Sequence, residues 1–186
     1  MKPLRAFPFP LNIGTDICQI SRIYYILSSP RALRFVNRIL SSEERAKKDV
    51  RLNVLDSATA HKVTSRDAID EASKNLKPHE LMELRDPDLW KCAAYLAGRF
   101  AVKEATIKAH PHRHLTFHDV VIERRPLKGE ILGSGPPIAR IRSGEGEAED
   151  TSALVSISHD GDYATAVCLG YEPDGDNRET GGGISE

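Results

Sequence analysis

The amino-acid sequence predicts an α+β domain in which a mostly antiparallel sheet packs against one long central helix. Residues 89–109 indicate the helix, because apolar side chains recur there at helical spacing. Residues 153–158 and 163–169 indicate two strands, which bracket Asp160–Gly161, a dipeptide typical of tight hairpins. With a strand near the start of the chain and further segments between, the predicted order is β-α-α-(insert)-α-β-β-β-β.

The first strand is predicted over residues 11–20, where Gly14 and Asp16 interrupt an otherwise apolar alternation. A helix is predicted to follow from Ser21, because a serine hydroxyl can cap the first turn. Pro30 ends this helix, since proline cannot continue the hydrogen-bond ladder.

Residues 31–40 predict a second helix that is amphipathic. Its inward face carries the apolar residues Leu33, Val36 and Leu40. Its outward face carries the basic residues Arg31, Arg34 and Arg38. A further helix begins after a cap at Ser41 or Ser42, with Glu43 and Glu44 placed where the helix dipole favours acids.

The rest of the chain is divided by composition. Residues 1–10 form an N-terminal extension, residues 11–171 form the domain, and about 49–88 is a polar insert within it. The glycine-rich, acidic residues 172–186 predict a disordered tail. Two more strands are predicted after the central helix, in the segments LTFHDVVIE and PPIARI.

The charge balance limits the classes of partner. The chain has 186 residues, with 26 basic and 27 acidic side chains, and its net charge of −1 gives no indication of nucleic-acid binding. No apolar stretch approaches the ~20 residues that a membrane-spanning helix needs. We therefore expect one domain that binds neither nucleic acid nor membrane.

Cysteine usage and the first residues bear on the compartment. Three cysteines without CxxC spacing argue against a disulfide framework and favour a reducing environment. Residues 1–10 are basic and free of acids, as in organelle-targeting segments, but their prolines interrupt a helix. Mitochondrial and cytoplasmic locations both stay open.

Charged residues within the central helix require an explanation. Glu104 precedes Lys108 by one turn, an order that favours a surface salt bridge, which is the simpler interpretation. Lys103 points about 100° away from Glu104. We expect Lys103 to be solvated, or to contact a partner or substrate. Ionisation in a dry core needs a neighbouring cation, so the surroundings of Glu104 decide its role.

Polar residues at two strand ends add to this set. Asp16 interrupts the first strand, where a carboxylate can be a metal or substrate ligand. His159 ends a predicted strand beside the hairpin, where it can reach a phosphate or only cap the loop. Each signal is weak when taken alone.

Taken together, the motifs resemble those of the holo-acyl-carrier-protein synthase type of phosphopantetheinyl transferase. The matching segments are IGTDICQISRI, RILSSEE, GRFAVKEATIKA, FHDVVI and VSISHDGDYATAVCL. The resemblance implies transfer of the phosphopantetheine arm of coenzyme A to a serine of a carrier protein in fatty acid biosynthesis, with adenosine 3',5'-bisphosphate released. It also implies Mg²⁺. The polar insert suggests a eukaryotic, fungal member.

The resemblance assigns roles to individual residues. Asp16 and Glu104 would hold Mg²⁺ against the pyrophosphate of coenzyme A. Lys108 would contact the pyrophosphate and stabilise charge on the leaving group. Arg99 and His159 would contact the phosphates or the adenine side of the coenzyme. Glu104, or a water molecule on the metal, is the candidate base for the serine proton.

The resemblance also implies partners. An apo acyl carrier protein presents an acidic helix, which a basic patch would attract. Arg22 is the main docking candidate, and the others are Arg31, Arg34 and Arg38. Bacterial members are trimers, so a homotrimer is implied, although the insert leaves the assembly open.

Two rival functions compete with this one: a hydrolase, which would use the same residues, and a binding module, which would have no need of Asp16, Glu104 and Lys108. A magnesium-dependent pyrophosphate or nucleotide hydrolase would also need acids, a lysine and a histidine. A non-catalytic carrier-binding module would keep only the docking helix. The histidines at 110, 112, 114 and 118 lack the spacing of a zinc site, so we expect a histidine-rich loop. Cys18 is predicted to be a small core residue.

Overall fold

A computed structural model of the chain describes residues 9–57, 85–125, 135–144 and 149–171. Most of the predicted N-terminal extension, most of the insert and the predicted disordered tail lie outside the described residues. The helices are α1 (Ile20–Leu27), α2 (Ala32–Ile39), α3 (Ser42–Ala46), α4 (Val54–Ser57) and α5 (Pro87–Lys108), with a 3₁₀ turn at Val50–Leu52. The strands are β1 (Leu11–Gln19), β2 (Val120–Arg124), β3 (Pro137–Ile141), β4 (Thr151–Asp160) and β5 (Tyr163–Tyr171).

The strands form one five-stranded sheet in the order β1-β5-β4-β3-β2, and every neighbouring pair is antiparallel. Helix α5 packs on one face of this sheet, as its buried alanines and leucines show. The predicted fold class, an α+β domain with a long packed central helix, is confirmed. In β1 the alternation buries Gly14 and Cys18 on the helix side, and Asp16 shares that side.

Strand β1 crosses the last turns of α5 at unusually short range. A Cβ atom added to Gly14 would lie 1.9 Å from the carbonyl oxygen of Ala105 and 2.7 Å from the backbone nitrogen of Ala109. Any side chain there would push the strand off the helix. The glycine therefore lets β1 approach the end of α5, and Asp16 follows two residues later on the same side.

Two predicted helix starts have different outcomes. Ser41 caps α3 as expected, with a reciprocal capping box between its hydroxyl and Glu44. The prediction that Ser21 caps the first helix is wrong, because α1 already begins at Ile20 and Ser21 lies inside its first turn. The carboxylate of Asp162, from the distant hairpin, bonds to Ser21 instead.

Other observed boundaries differ from the predicted ones for local reasons. Strand β2 begins at Val120 because the Asp119 carboxylate accepts hydrogen bonds from the backbone and hydroxyl of Thr116, which forms a turn. The hairpin is confirmed, but its turn residues are Gly161 and Asp162, and Gly161 has φ +52°. Leu33 is exposed rather than buried.

The sheet face that points away from α5 is apolar and exposed. Its large side chains include Ile13, Ile17, Leu154, Tyr163, Val167 and Tyr171. Residues opposite one another in the register place these side chains on a shared surface. None of the helices in the described ranges is long and apolar enough to cross a membrane.

Candidate active site

Asp16 and Lys108 meet where β1 crosses the end of α5. The Lys108 ammonium lies 2.7 Å from Oδ1 of Asp16 and donates a second hydrogen bond, 3.1 Å long, to the carbonyl oxygen of Thr15. The side chain of Lys108 is 50% exposed and that of Asp16 is 16% exposed. The other carboxylate oxygen of Asp16, Oδ2, is buried and has no hydrogen-bond partner among the described residues. One oxygen of Asp16 is therefore available for a ligand.

Glu104 lies one helical turn before Lys108 and is half-buried. Among the described residues no hydrogen bond or ion pair to its carboxylate is found. The expected pairing of Glu104 with Lys108 is wrong, because Lys108 pairs with Asp16 instead. Asp16 approaches closely enough to take this lysine because Gly14 allows β1 to touch the helix backbone. Asp16 and Lys108 thus meet at the end of α5, and Glu104 lies one helical turn earlier on the same helix.

The solvated or substrate-contacting role expected for Lys103 is wrong. Its side chain is fully buried, and its ammonium donates to the carbonyl oxygens of Ile39 and Phe117, both at 2.8 Å. It also bonds to Oε2 of Glu44 at 2.5 Å. Burial lowers the pKa of Lys103, and the charge and hydrogen bond of Glu44 oppose this change. Lys103 therefore joins α5 to the end of α2, to α3 and to the loop that precedes β2.

Arg99 and His159 line one cavity of about 170 Å³ between α5 and the sheet. Arg99 donates a hydrogen bond of 3.2 Å to the carbonyl oxygen of Ile122. The Nε2 atom of His159 lies 3.0 Å from the carbonyl oxygen of Ala94. A Cβ on Gly98 would come within 2.9 Å of this nitrogen, so the glycine makes room for the imidazole.

Sequence reasoning missed two further arginines of this cavity, Arg51 and Arg124. Arg51 belongs to the 3₁₀ turn at the start of the polar insert, where composition predicted a surface segment. Its guanidinium stacks on the ring of Tyr95 at 4.0 Å and pairs with Asp49. No local motif marks either arginine, because only tertiary packing brings them to the cavity.

The docking candidates lie on exposed surface. Arg22, on α1, donates a hydrogen bond of 3.4 Å to the sulfur of Cys18, and its guanidinium lies 5.4 Å from the centre of the Phe100 ring. The α2 region exposes the other basic candidates, Arg31, Arg34 and Arg38. Cys18 itself is buried, as predicted for a core residue, and burial raises the pKa of its thiol.

The histidine-rich segment makes structural contacts. His110 is buried and its Nδ1 lies 2.7 Å from the carbonyl oxygen of Thr106, while His118 bonds to the carbonyl oxygen of Asn37. Within the described ranges no group of three or more His, Cys, Asp or Glu side chains is arranged to hold a metal. A magnesium site made by two carboxylates and substrate phosphates needs a smaller set.

Comparison with known proteins identifies the family. No protein-family model matches the chain. The mitochondrial 4'-phosphopantetheinyl transferase B of Aspergillus fumigatus is 33% identical over 171 residues, which cover 89% of this chain and 97% of the relative. The chain belongs to the phosphopantetheinyl transferases. The holo-acyl-carrier-protein synthase of Bacillus pumilus, 30% identical over 85% of this chain and 93% of its own length, places it in the holo-acyl-carrier-protein synthase type.

A solved holo-acyl-carrier-protein synthase from Bacillus anthracis, in complex with CoA, also matches. It shares 24% identity over 87% of this chain and 96% of the solved chain, with a TM-score of 0.44. The named relatives are phosphopantetheinyl transferases and holo-acyl-carrier-protein synthases. As a member of this family the chain is a transferase, and these relatives give no support to the hydrolase or to the non-catalytic module.

Proposed function

We propose that this phosphopantetheinyl transferase moves the 4'-phosphopantetheine group of coenzyme A to a serine of an apo acyl carrier protein in fatty acid biosynthesis. Adenosine 3',5'-bisphosphate is the second product. The observation that carries the proposal is the group at the end of α5, where the buried Oδ2 of Asp16, beside Lys108, has no hydrogen-bond partner among the residues that the structure describes. Such a group suits a phosphate-bound cation better than a purely structural ion pair.

The donor set fits Mg²⁺. Magnesium prefers hard oxygen ligands and is commonly held by one or two carboxylates together with substrate phosphates. Asp16 offers its unpartnered oxygen, and Glu104 offers a half-buried carboxylate without an ion pair in the described part of the chain. When bound, Mg²⁺ would draw charge from the phosphoryl oxygens and orient the diphosphate.

Lys108 and Glu104 supply the remaining chemistry from this chain. The ammonium of Lys108 is half-exposed, so it can turn from Asp16 towards the pyrophosphate and stabilise the negative charge that develops on the leaving group. The serine hydroxyl must lose a proton as it attacks the β-phosphate. Glu104 is the carboxylate of this cluster that can accept it, provided that the serine comes within hydrogen-bond reach.

Arg99 and His159 would bind coenzyme phosphate in their shared cavity. Arg51 and Arg124 line the same space, so three arginines and one histidine surround it against one acid, Glu123. Guanidinium forks match phosphate oxygens in geometry as well as in charge. This cavity therefore suits a negatively charged phosphate group of the coenzyme better than its uncharged pantetheine arm.

The carrier would dock on the exposed basic surface formed by α1 and α2. Arg22 lies nearest along the chain to Asp16, and α2 extends the positive surface through Arg31, Arg34 and Arg38. The acidic helix of a carrier protein would approach this surface with its modified serine towards the cluster. Charge attraction of this kind mainly raises the rate of encounter.

A homotrimer would cover the exposed apolar face of the sheet. Contiguous apolar surface of this type is characteristic of protein interfaces, and the described part of the chain offers no helix to pack on it. The occupant that we propose is a second copy of the same chain. Analytical ultracentrifugation of the wild type and of Ile13→Glu tests this, since a trimer of the wild type should dissociate in the variant.

We also propose a mitochondrial rather than a cytoplasmic location. The Aspergillus fumigatus relative, which the chain matches over 97% of its length, is named as mitochondrial. Cell fractionation with an antibody against the native chain tests this location, and recovery in the cytosolic fraction alone would contradict it.

The decisive experiment for the transfer itself uses two products. The purified chain is incubated with coenzyme A and Mg²⁺, with and without an apo acyl carrier protein, and both products are measured by mass spectrometry. We expect the carrier to gain phosphopantetheine, and adenosine 3',5'-bisphosphate to appear only when the carrier is present. A carrier whose acceptor serine is alanine is the matched control. Release of the bisphosphate without any carrier would indicate the hydrolase instead.

A further inference from the structure

The tip of the β4–β5 hairpin holds the start of α1 through one acidic residue, Asp162. Its Oδ1 accepts a hydrogen bond of 2.8 Å from the backbone N–H of Ser21. Its Oδ2 accepts one of 2.6 Å from the Ser21 hydroxyl and one of 2.8 Å from the side-chain amide of Gln19. The backbone N–H of Ile20 donates to the carbonyl oxygen of Asp162 at 2.7 Å.

These bonds replace a cap that α1 does not supply for itself. Gln19, at the N-cap position, makes no capping hydrogen bond with its side chain, and the first turn contains no acid. The first N–H groups of a helix lack partners within the helix and attract negative charge. Asp162 meets both needs from a position far away in the sequence, so the hairpin and the helix start are joined as one unit.

This junction lies between the proposed metal ligand and the proposed docking residue. Strand β1 carries Asp16 and runs directly into α1, whose first turn contains Arg22. The guanidinium of Arg22 lies over the ring of Phe100 and donates a hydrogen bond to the sulfur of Cys18, so its position is fixed by these contacts. The angle between β1 and α1 therefore decides how far a docked carrier lies from Asp16.

We propose that Asp162 is a positioning residue for carrier binding. By fixing the first turn of α1, it holds Arg22 at a set distance from the cluster of Asp16, Glu104 and Lys108. The inference rests on the proposed carrier docking at Arg22. Asp162 contacts neither coenzyme nor metal in this arrangement, and its effect passes through the orientation of α1.

The hairpin offers a matched control. Asp160 is an exposed acid on the same hairpin, and no hydrogen bond or ion pair joins it to α1 within the described residues. Asp160→Ala therefore removes the same charge from the same hairpin but leaves the helix start bonded. Asp162→Asn keeps an oxygen that can accept from the Ser21 N–H, so it should rescue part of the loss in Asp162→Ala.

The kinetic test measures KM for the carrier and KM for coenzyme A separately in these variants and in the wild type. We expect Asp162→Ala to raise KM for the carrier roughly tenfold, the scale of losing a hydrogen bond to a charged group. KM for coenzyme A should stay within about twofold, Asp160→Ala should match the wild type, and Asp162→Asn should lie between. Equal rises in both KM values, or equal effects of Asp160→Ala and Asp162→Ala, would overturn the inference.

A second readout requires no carrier. Hydrogen exchange of the Ser21 amide should be roughly tenfold faster in Asp162→Ala than in Asp160→Ala, because only the former loses the acceptor of that N–H. Unchanged exchange would overturn the inference even if the kinetics changed. A wild-type chain that transfers nothing to any carrier would instead defeat the proposed function, while the exchange rates still decide whether Asp162 holds the helix start.

Discussion

Two lysines of helix α5, Lys103 and Lys108, pair with carboxylates of other elements, and the two pairs have the same chemistry but opposite surroundings. Lys103 and Glu44 are 0% and 3% exposed, whereas Lys108 and Asp16 are 50% and 16% exposed. The first pair is closed to solvent and the second opens to it. The comparison shows that burial, not the type of charge pair, decides which lysine of this helix is available for chemistry.

The closed pair uses nearly all of its hydrogen-bonding capacity within the protein. The ammonium of Lys103 has three oxygen acceptors, which matches its three N–H groups. Glu44 also accepts from the backbone N–H groups of Ser41 and Ile122. No group is left over for a substrate, so this pair fixes the helix that carries Glu104.

The open pair, Lys108 with Asp16, retains hydrogen-bonding capacity for a ligand. Oδ2 of Asp16 has no hydrogen-bond partner among the described residues, and Lys108 is held by one carboxylate oxygen and one backbone carbonyl. Exposed ion pairs contribute little to stability. Both groups can therefore change partners at small cost when a ligand binds.

The largest effect is expected for the closed pair. Lys103→Met leaves the buried carboxylate of Glu44 without its cation, which should lower the free energy of unfolding by about 3 to 5 kcal/mol. The melting temperature would fall by roughly 10 °C. Thermal and urea denaturation measure this, and adding Glu44→Gln should restore part of the loss. A change below about 1 kcal/mol would contradict the buried network.

The next effect concerns transfer rather than stability. Asp16→Ala or Glu104→Ala should abolish transfer in an ordinary assay, by about 10²- to 10³-fold or more, since each removes charge stabilisation from the reacting groups. The free energy of unfolding should change by less than about 1 kcal/mol, because neither acid belongs to a buried pair. Steady-state kinetics and urea denaturation check both parts. Ordinary transfer activity in either variant would rule out the metal site.

Lys108→Met should give a smaller effect that separates the two lysines directly. We expect kcat to fall about 10- to 100-fold while stability changes by less than about 1 kcal/mol, because the lost ion pair is half-exposed. Lys103→Met is the matched comparison, with the same substitution on the same helix. If Lys108→Met unfolded the chain as readily as Lys103→Met, burial would not be the difference between them.

The smallest effect is expected at a pair that is fully on the surface. Lys91 and Asp88 lie in the first turns of α5 at 2.9 Å, with side chains 67% and 71% exposed. Lys91→Met should change the free energy of unfolding by at most about 0.5 kcal/mol. Denaturation at low and at high salt measures how much this surface pair contributes to the free energy of unfolding, and this value is the reference for the buried pair. A loss comparable to that of Lys103→Met would remove the distinction on which the comparison depends.

Local sequence patterns predicted most of the fold but only part of the site. Periodicity was sufficient for α5 and for the β4–β5 hairpin, because both signals lie within a few neighbouring residues. The role of Lys103 was missed because its acceptors, at Ile39, Glu44 and Phe117, come from distant segments. A helical wheel gives the direction of a side chain, but not what packs against that direction.

The same reason explains the pairing of Lys108. Spacing predicted Glu104 as its partner, yet the close approach of β1 at Gly14 supplies Asp16 instead. The role of Asp162 at the start of α1 could likewise not be predicted from local sequence, because Asp162 lies in the hairpin, far along the chain from Ser21. Motif resemblance indicated Asp16, Glu104 and Lys108 together, and this signal did not depend on tertiary contacts.

The central claim is that Asp16 and Glu104 jointly hold a divalent cation beside the diphosphate of coenzyme A. Electron paramagnetic resonance of Mn²⁺, titrated into the chain with coenzyme A present, tests it without any transfer reaction. Wild type and the control Asp88→Ala should bind Mn²⁺ equally well, and both Asp16→Ala and Glu104→Ala should lose at least about tenfold in affinity. Unchanged Mn²⁺ affinity in either acid variant would contradict the account.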